Sequence, residues 1–235
     1  MWTISLLKQN GLMNFKRNYW YCVVASLVLG VAVGGSSGGS SYNSINSANS
    51  NGSSLYDSID PGLIVGILVA ALVFFAVAMV IKILVLNPVI VGCRRFFIMN
   101  RVMERAELSN ISFGFKSNWK NIVKTMFFQD LYIFLWSLLL LIPGIIKSYS
   151  YRLVPYILAE NPDMDTHEAI ELSKSMMNGQ KMNAFIYDLS FIGWIILGIL
   201  TCGIALIFYV SPYKDCSDAE LYTAIKETYN PQATY

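Results

Sequence analysis

Four ionisable side chains, Asp130, Lys147, Arg152 and Asp188, fall inside apolar stretches of the chain. A charge in hydrocarbon is costly, so such residues face a bundle interior or a water-filled cavity, and they are the first candidates for binding or translocation. Tyr149, Tyr151, Tyr156 and Tyr187 stand nearby in sequence and could supply hydroxyls. Two carboxylates around one guanidinium can hold a small solute or ion, or can simply join helices as polar glue. The residue types leave both roles open. The candidate ligand-binding set is Asp130, Arg152, Asp188, Tyr149, Tyr151 and Tyr187.

Other chemistries find weaker footing. His167-Glu168-Ala169-Ile170-Glu171 has the outline of a zincin helix but lacks the second histidine, and His167 is the single histidine of the chain. No metal is expected. Cys22, Cys93, Cys202 and Cys216 are too scattered for a Cys-x-x-Cys site or a disulfide framework. There is no nucleophile elbow and no phosphate-cradling glycine loop followed by lysine. The reading is therefore of a protein without a cofactor, without a nucleic-acid partner and without an enzymatic site.

The elements that must position these residues follow from composition. Of 235 residues, 55% are apolar and 14% charged, with a mean hydropathy of +0.49. A soluble domain carries roughly 25% charged residues, so much of this surface must meet lipid. The run Tyr19–Val33 follows Lys8, Lys16 and Arg17. It could be a secretory signal, but the long preceding segment and the absence of a small-x-small cleavage site favour a retained helix. Residues 34–61, dominated by Ser, Asn and Gly, cannot offset their ordering entropy by burial and read as a disordered external loop.

Residues 62–86 exceed the roughly 20 needed to cross a bilayer. Lys82 near their end can snorkel, and Asn87-Pro88 reads as the exit. Residues 93–108 carry Arg94, Arg95, Arg101 and Arg105 beside a stripe of Phe96, Met99 and Met103. That pattern predicts an amphipathic interfacial helix whose arginines touch anionic headgroups on the cytoplasmic leaflet. The alternative is a solvated helix packed on the protein.

A third run, 126–142, meets Pro143-Gly144 and resumes over 145–158. Either residues 147–183 form an external domain, or Pro143-Gly144 is a turn that sends a short fourth span back. Basic residues favour the return. Of 17 Lys and Arg, only Lys82, Lys147 and Arg152 then fall inside spans, and the outer loops hold none. Asp165, ahead of Glu168, starts a cytoplasmic helix over 163–178 that stops at Asn178-Gly179. Residues 184–209 are long enough for one 26-residue span, but the same logic favours a hairpin of two shorter spans about Thr201-Cys202-Gly203. Asp130 and Asp188 then lie about 6 Å, and Arg152 about 10 Å, inside the inner boundary at 1.5 Å per helical residue, close enough to predict one cluster.

The stretches Leu141-Ile142-Pro143-Gly144-Ile145-Ile146-Lys147, Tyr149-Ser150-Tyr151, Pro155-Tyr156-Ile157-Leu158 and Glu168-Ala169-Ile170 with Ser173, Met177 and Gly179 carry a resemblance. It continues through Asp188-Leu189-Ser190-Phe191-Ile192-Gly193-Trp194, Leu200-Thr201 and Pro212-Tyr213. Over residues 120–225 the chain resembles a family of bacterial multi-spanning membrane proteins catalogued only as a domain of unknown function. The Ile-Pro-Gly turn followed by an Ala-Ile-x-x-Ser helix is also similar to the membrane domain attached to some glycerophosphoryl diester phosphodiesterases. That resemblance implies an all-helical bundle and carries over no catalytic site, because the phosphodiesterase barrel is absent from this sequence.

The expected architecture is an all-α polytopic transmembrane helix bundle, a single integral membrane domain with about six spans, some short or broken, plus the interfacial helix. Both termini are expected in the cytoplasm of a bacterial cell, with membrane lipid as partner. Gly30-x-x-x-Gly34 and Gly62-x-x-x-Gly66 suit either a homo-oligomer or packing within one chain. The expected function is binding of lipid or a small solute, or membrane-stress adaptation; the alternative is a transporter or channel subunit with a polar inner-leaflet pathway.

Overall fold

Thr3 opens the first helix, α1 (Ile4–Arg17), by accepting a hydrogen bond from the Leu6 amide. After Asn18, α2 (Tyr19–Gly34) follows. The computed structural model describes residues 2–34 and 61–229, so the Ser/Asn/Gly stretch expected to be disordered lies outside the described residues. Among those described, the regular elements are all helical.

α3 (Pro61–Ile81) runs through a π-helical segment, Lys82–Leu86, directly into α4 (Asn87–Val102). Pro88 therefore does not end the helix. Proline withholds the N–H that would bond to the carbonyl four residues back, here that of Leu84. The Trp119 indole N–H donates to that carbonyl instead, at 3.1 Å. The wider π turn, closed by the Asn87 amide on the Lys82 carbonyl, lets the helix pass its proline unbroken.

The short α5 (Phe113–Lys116) leads to α6 (Trp119–Leu139), capped by the Asn118 side chain on the Asn121 amide. Leu140, in extended conformation, reverses the chain into α7 (Leu141–Tyr151). Gly144 faces Ser137, Lys147 lies over Trp136 and Tyr151 neighbours Tyr132, which is the register of an antiparallel hairpin. The chain doubles back where Pro143-Gly144 indicated, but the turn itself is Leu140. Pro143 sits in the first turn of α7, where a missing N–H is tolerated, and Gly144 supplies the close approach.

Arg152 and Leu153 break the expected fourth span, so that α8 (Val154–Glu160) is a separate helix ending at Asn161. In α9 (Thr166–Met176) the Asp165 carboxylate caps the His167 amide at 2.9 Å, and Gly179, at φ +73°, follows its end. α10 (Lys181–Leu189) and α11 (Ile192–Leu200) join through Ser190 and Phe191. Cys202 and Gly203 then adopt positive φ, with the Gly203 amide on the Gly198 carbonyl. Gly198 meets Leu206 and Trp194 stacks beside Tyr209, as a hairpin requires. A second π segment, Leu206–Val210, precedes α12 (Ser211–Thr228) and its Pro212.

The centre of the bundle is α4. It packs against α2, α5, α6, α8 and α12, and Val91, Cys93, Phe96 and Phe97 are almost wholly buried. The interfacial helix expected over 93–108 is thus corrected: the helix stops at Val102 and forms the core. Three helices, Val65–Val102, Trp119–Leu139 and Lys181–Leu200, are long and apolar enough to cross a membrane, and Tyr19–Val33 is a shorter apolar helix. Their outward faces are bare of protein, with Phe74 76% and Leu138 75% exposed. An apolar surface so extensive is compatible with a membrane protein.

A methyl group at Gly144 would stand 2.8 Å from the Ser137 Cα, whereas one at Gly193 would meet nothing within 4 Å. Gly144→Ala is therefore expected to cost about 1–3 kcal/mol through overpacking. Gly193→Ala should leave stability essentially unchanged, and thermal unfolding of the two detergent-solubilised variants compares them directly.

Candidate functional site

Helix geometry places Lys214 and Asp218 on one face of α12, four residues apart. Tyr149 and Arg152 lie three apart at the end of α7, and Tyr187 and Asp188 sit near the end of α10. These three segments converge. The Arg152 guanidinium donates to both Asp188 oxygens, Nη1 at 2.7 Å and Nη2 at 3.1 Å, and Nη2 also reaches Asp218 at 3.0 Å. Lys214 spans the same two carboxylates, 3.1 Å from Asp188 and 3.0 Å from Asp218. The Tyr149 hydroxyl donates to Asp188 at 2.9 Å and the Tyr187 hydroxyl to Asp218 at 3.0 Å.

Two cations and two anions thus close on one another. Although burial opposes ionisation of Asp218, the adjacent Lys214, Arg152 and Arg94 hold its carboxyl down to about 2. It stays charged throughout the physiological range. An arrangement in which each cation bridges both anions and each anion also accepts a tyrosine hydroxyl is suited to holding three segments in register, and leaves little free valence for a solute.

The structure brings together Arg152, Asp188, Tyr149 and Tyr187 from the expected set. Asp130 is elsewhere. It pairs with Lys82 at 3.1 Å, joining α6 to the π segment. Tyr151 points away from the cluster, buried beside Tyr132. Tyr156 stacks on Tyr222 with ring centroids 5.0 Å apart, and the Arg94 guanidinium lies over it.

The arginine stripe is answered mainly within the protein. Arg94 pairs with Asp215 at 3.2 Å, and Ser26 donates to the same carboxylate. Arg101 pairs with Glu220 at 3.1 Å, where Asn14 also donates at 2.7 Å. Arg95 donates to the Ala159 carbonyl and lies 3.8 Å from the Phe113 ring centroid. Arg105 is bonded to the Tyr21 hydroxyl at an exposed position. Arg94, Arg95 and Arg101 thus find acceptors within the protein, on α12 and α8. Arg105 is exposed, and Arg101 keeps 32% of its side chain exposed.

The residues that sequence reasoning missed are Lys214, Asp215, Asp218 and Glu220, all on α12. The spacing of Lys214 and Asp218 was visible, but it is also the spacing of any solvated helical ion pair. Among the described residues, no three His, Cys, Asp or Glu side chains gather as a metal site.

Removing one anion from the closed cluster leaves an uncompensated buried cation, a loss of about 3–5 kcal/mol in known buried pairs. Asp218→Asn is therefore expected to lower stability severely. Asp130→Asn, whose side chain is 37% exposed, should cost markedly less. Unfolding midpoints of the two variants in the same detergent test this ordering, and equal losses would refute it.

No curated protein and no solved structure matches the chain. Residues 68–229 match the family model described as Protein of unknown function (DUF975), a span that contains α4, the cluster on α7, α10 and α12, and both hairpins. The chain belongs to that family.

Proposed function

We propose that this chain is a non-enzymatic, multi-pass membrane protein whose ion-pair cluster is a clamp and whose ligand is lipid. The observation that carries this reading is the mutual bridging of Asp188 and Asp218 by Arg152 and Lys214. A pathway needs sites that a solute can enter and leave; a neutral, closed quartet favours structure over passage. The bare apolar outer faces favour lipid as the partner.

In this reading the chain makes about six crossings, the extra three being α2, the α7–α8 return with its break at Arg152 and Leu153, and the stretch after Gly203. The packing of α1 on α12 supports both ends lying on one side. The distribution of Lys and Arg supports the cytoplasmic face of a bacterial membrane.

The test is flux. Liposomes holding the full chain, loaded with a pH-reporting dye and given separate proton and potassium gradients, are expected to leak no faster than empty liposomes. Asp188→Asn should lower thermal stability without creating or abolishing any flux. A protein-dependent flux that disappears in Asp188→Asn at unchanged stability would overturn the clamp and establish the transporter reading.

A further inference from the structure

Cys22 and Cys216 lie 194 residues apart in the chain, yet the fold sets them side by side. Cys22 is in the first turn of α2 and Cys216 in the second turn of α12. Their sulfurs are 3.6 Å apart, and neither residue is more than 2% exposed. The same two helices are joined again one turn further along α2, where Ser26 donates to Asp215. Asn100 of α4, wholly buried, completes the surroundings of the two thiols. Asn18 donates to its Oδ1 at 2.8 Å, which turns the Asn100 nitrogen toward the sulfurs, 3.4 Å from Cys22 and 3.9 Å from Cys216.

Two thiols in van der Waals contact are placed for oxidation. A disulfide bond is about 2.0 Å long, and each sulfur closes part of the remaining distance by turning about the single χ1 torsion of cysteine. Packing of α2 on α12 keeps the partners at near contact, so the joining step needs no chance encounter.

We infer that Cys22 and Cys216 are a modification site, a thiol pair that a hydroperoxide converts reversibly into a disulfide fastening α2 to α12. Hydrogen peroxide is neutral and little larger than water, and it enters by local opening of the bundle. One sulfur attacks the peroxide: an S–O bond forms, the O–O bond breaks, and water leaves with the thiol proton, giving a sulfenic acid. The second sulfur then displaces the hydroxyl, so that the S–S bond forms, the S–O bond breaks and a second water leaves. Two thiols and one peroxide give one disulfide and two waters; the sulfurs are oxidised and the peroxide oxygens reduced. The Asn100 amide is a donor for the charge that gathers on an attacking sulfur.

Cys216 stands between Asp215, which holds Arg94, and Asp218 of the clamp, so the bond fastens the part of α12 on which both ion-pair sites depend. In a reducing cytoplasm such a bond is transient and reports oxidant rather than serving as a permanent staple. The inference goes beyond the clamp and lipid reading and does not depend on it.

Mapping the cross-link in the full chain in detergent tests it. The protein is treated with hydrogen peroxide, the peroxide is removed with catalase, and the chain is denatured in N-ethylmaleimide and digested without reductant. The unaltered protein is expected to yield a peptide pair joined through Cys22 and Cys216, which dithiothreitol separates. Cys202→Ser, which removes the exposed thiol, should give the same pair, so that exchange through Cys202 is not its source. Oxidation should raise the unfolding midpoint, because the bond closes a long loop, and in Cys216→Ala it should not. Recovery of Cys22 and Cys216 both alkylated after peroxide would overturn the inference. So would a peptide pair joined through any other cysteines, or sulfinic acid at either buried cysteine with no joined pair. The mapping needs no variant, so it decides the matter even where Cys216→Ala does not fold.

Discussion

The structure turns on the mutual neutralisation of Arg152, Lys214, Asp188 and Asp218. At an effective dielectric of 20, opposite charges 3 Å apart attract by about 5 kcal/mol. Several such contacts are set against a desolvation penalty of several kcal/mol for each ion. The two sides nearly cancel, so the quartet adds little to stability in sum. Its consequence is specificity. Any arrangement that separates one member leaves a charge without a partner, so the end of α7, the end of α10 and the start of α12 can meet in one register only.

A second row of pairs applies the same constraint along the centre of the bundle. α4 is buried yet carries Arg94 and Arg101, and α12 is built to receive them with Asp215 and Glu220. Ser26 of α2 and Asn14 of α1 complete the two acceptor sites. The amino-terminal helices therefore join the carboxy-terminal helix through shared carboxylates as well as through apolar contact. This explains why α12, whose sequence reads as an ordinary solvated helix, buries Ser217, Asp218, Ala219, Glu220, Leu221 and Tyr222 in succession.

What could be read beforehand was what depends on the chain locally. The length of the apolar runs located the long helices, the Pro143-Gly144 and Thr201 to Gly203 breaks located both hairpins, and the depth of Arg152 and Asp188 brought that pair together. What could not be read depends on partners distant in sequence. Pro88 carries the signal of a helix end, and nothing near it reveals that a π turn and the Trp119 indole will absorb the defect. Four arginines beside an apolar stripe describe a lipid-surface helix equally well as a core helix, until the acids of α12 are known to face them. Asp130 lay at the right depth for Arg152, but Lys82 stood at a similar depth on the neighbouring helix and took it.

The clamp and the α6–α7 hairpin are related through the geometry of a single helix. Successive residues of an α-helix are 100° apart, so residues two apart point to nearly opposite sides and residues three or four apart share a side. Tyr149 and Arg152 accordingly face Asp188, while Lys147 and Tyr151 face α6. Rotating α7 about its axis to improve one face would misplace the other. Arg152, fixed by two carboxylates, therefore sets the angle at which Lys147 and Tyr151 meet Trp136 and Tyr132 of α6.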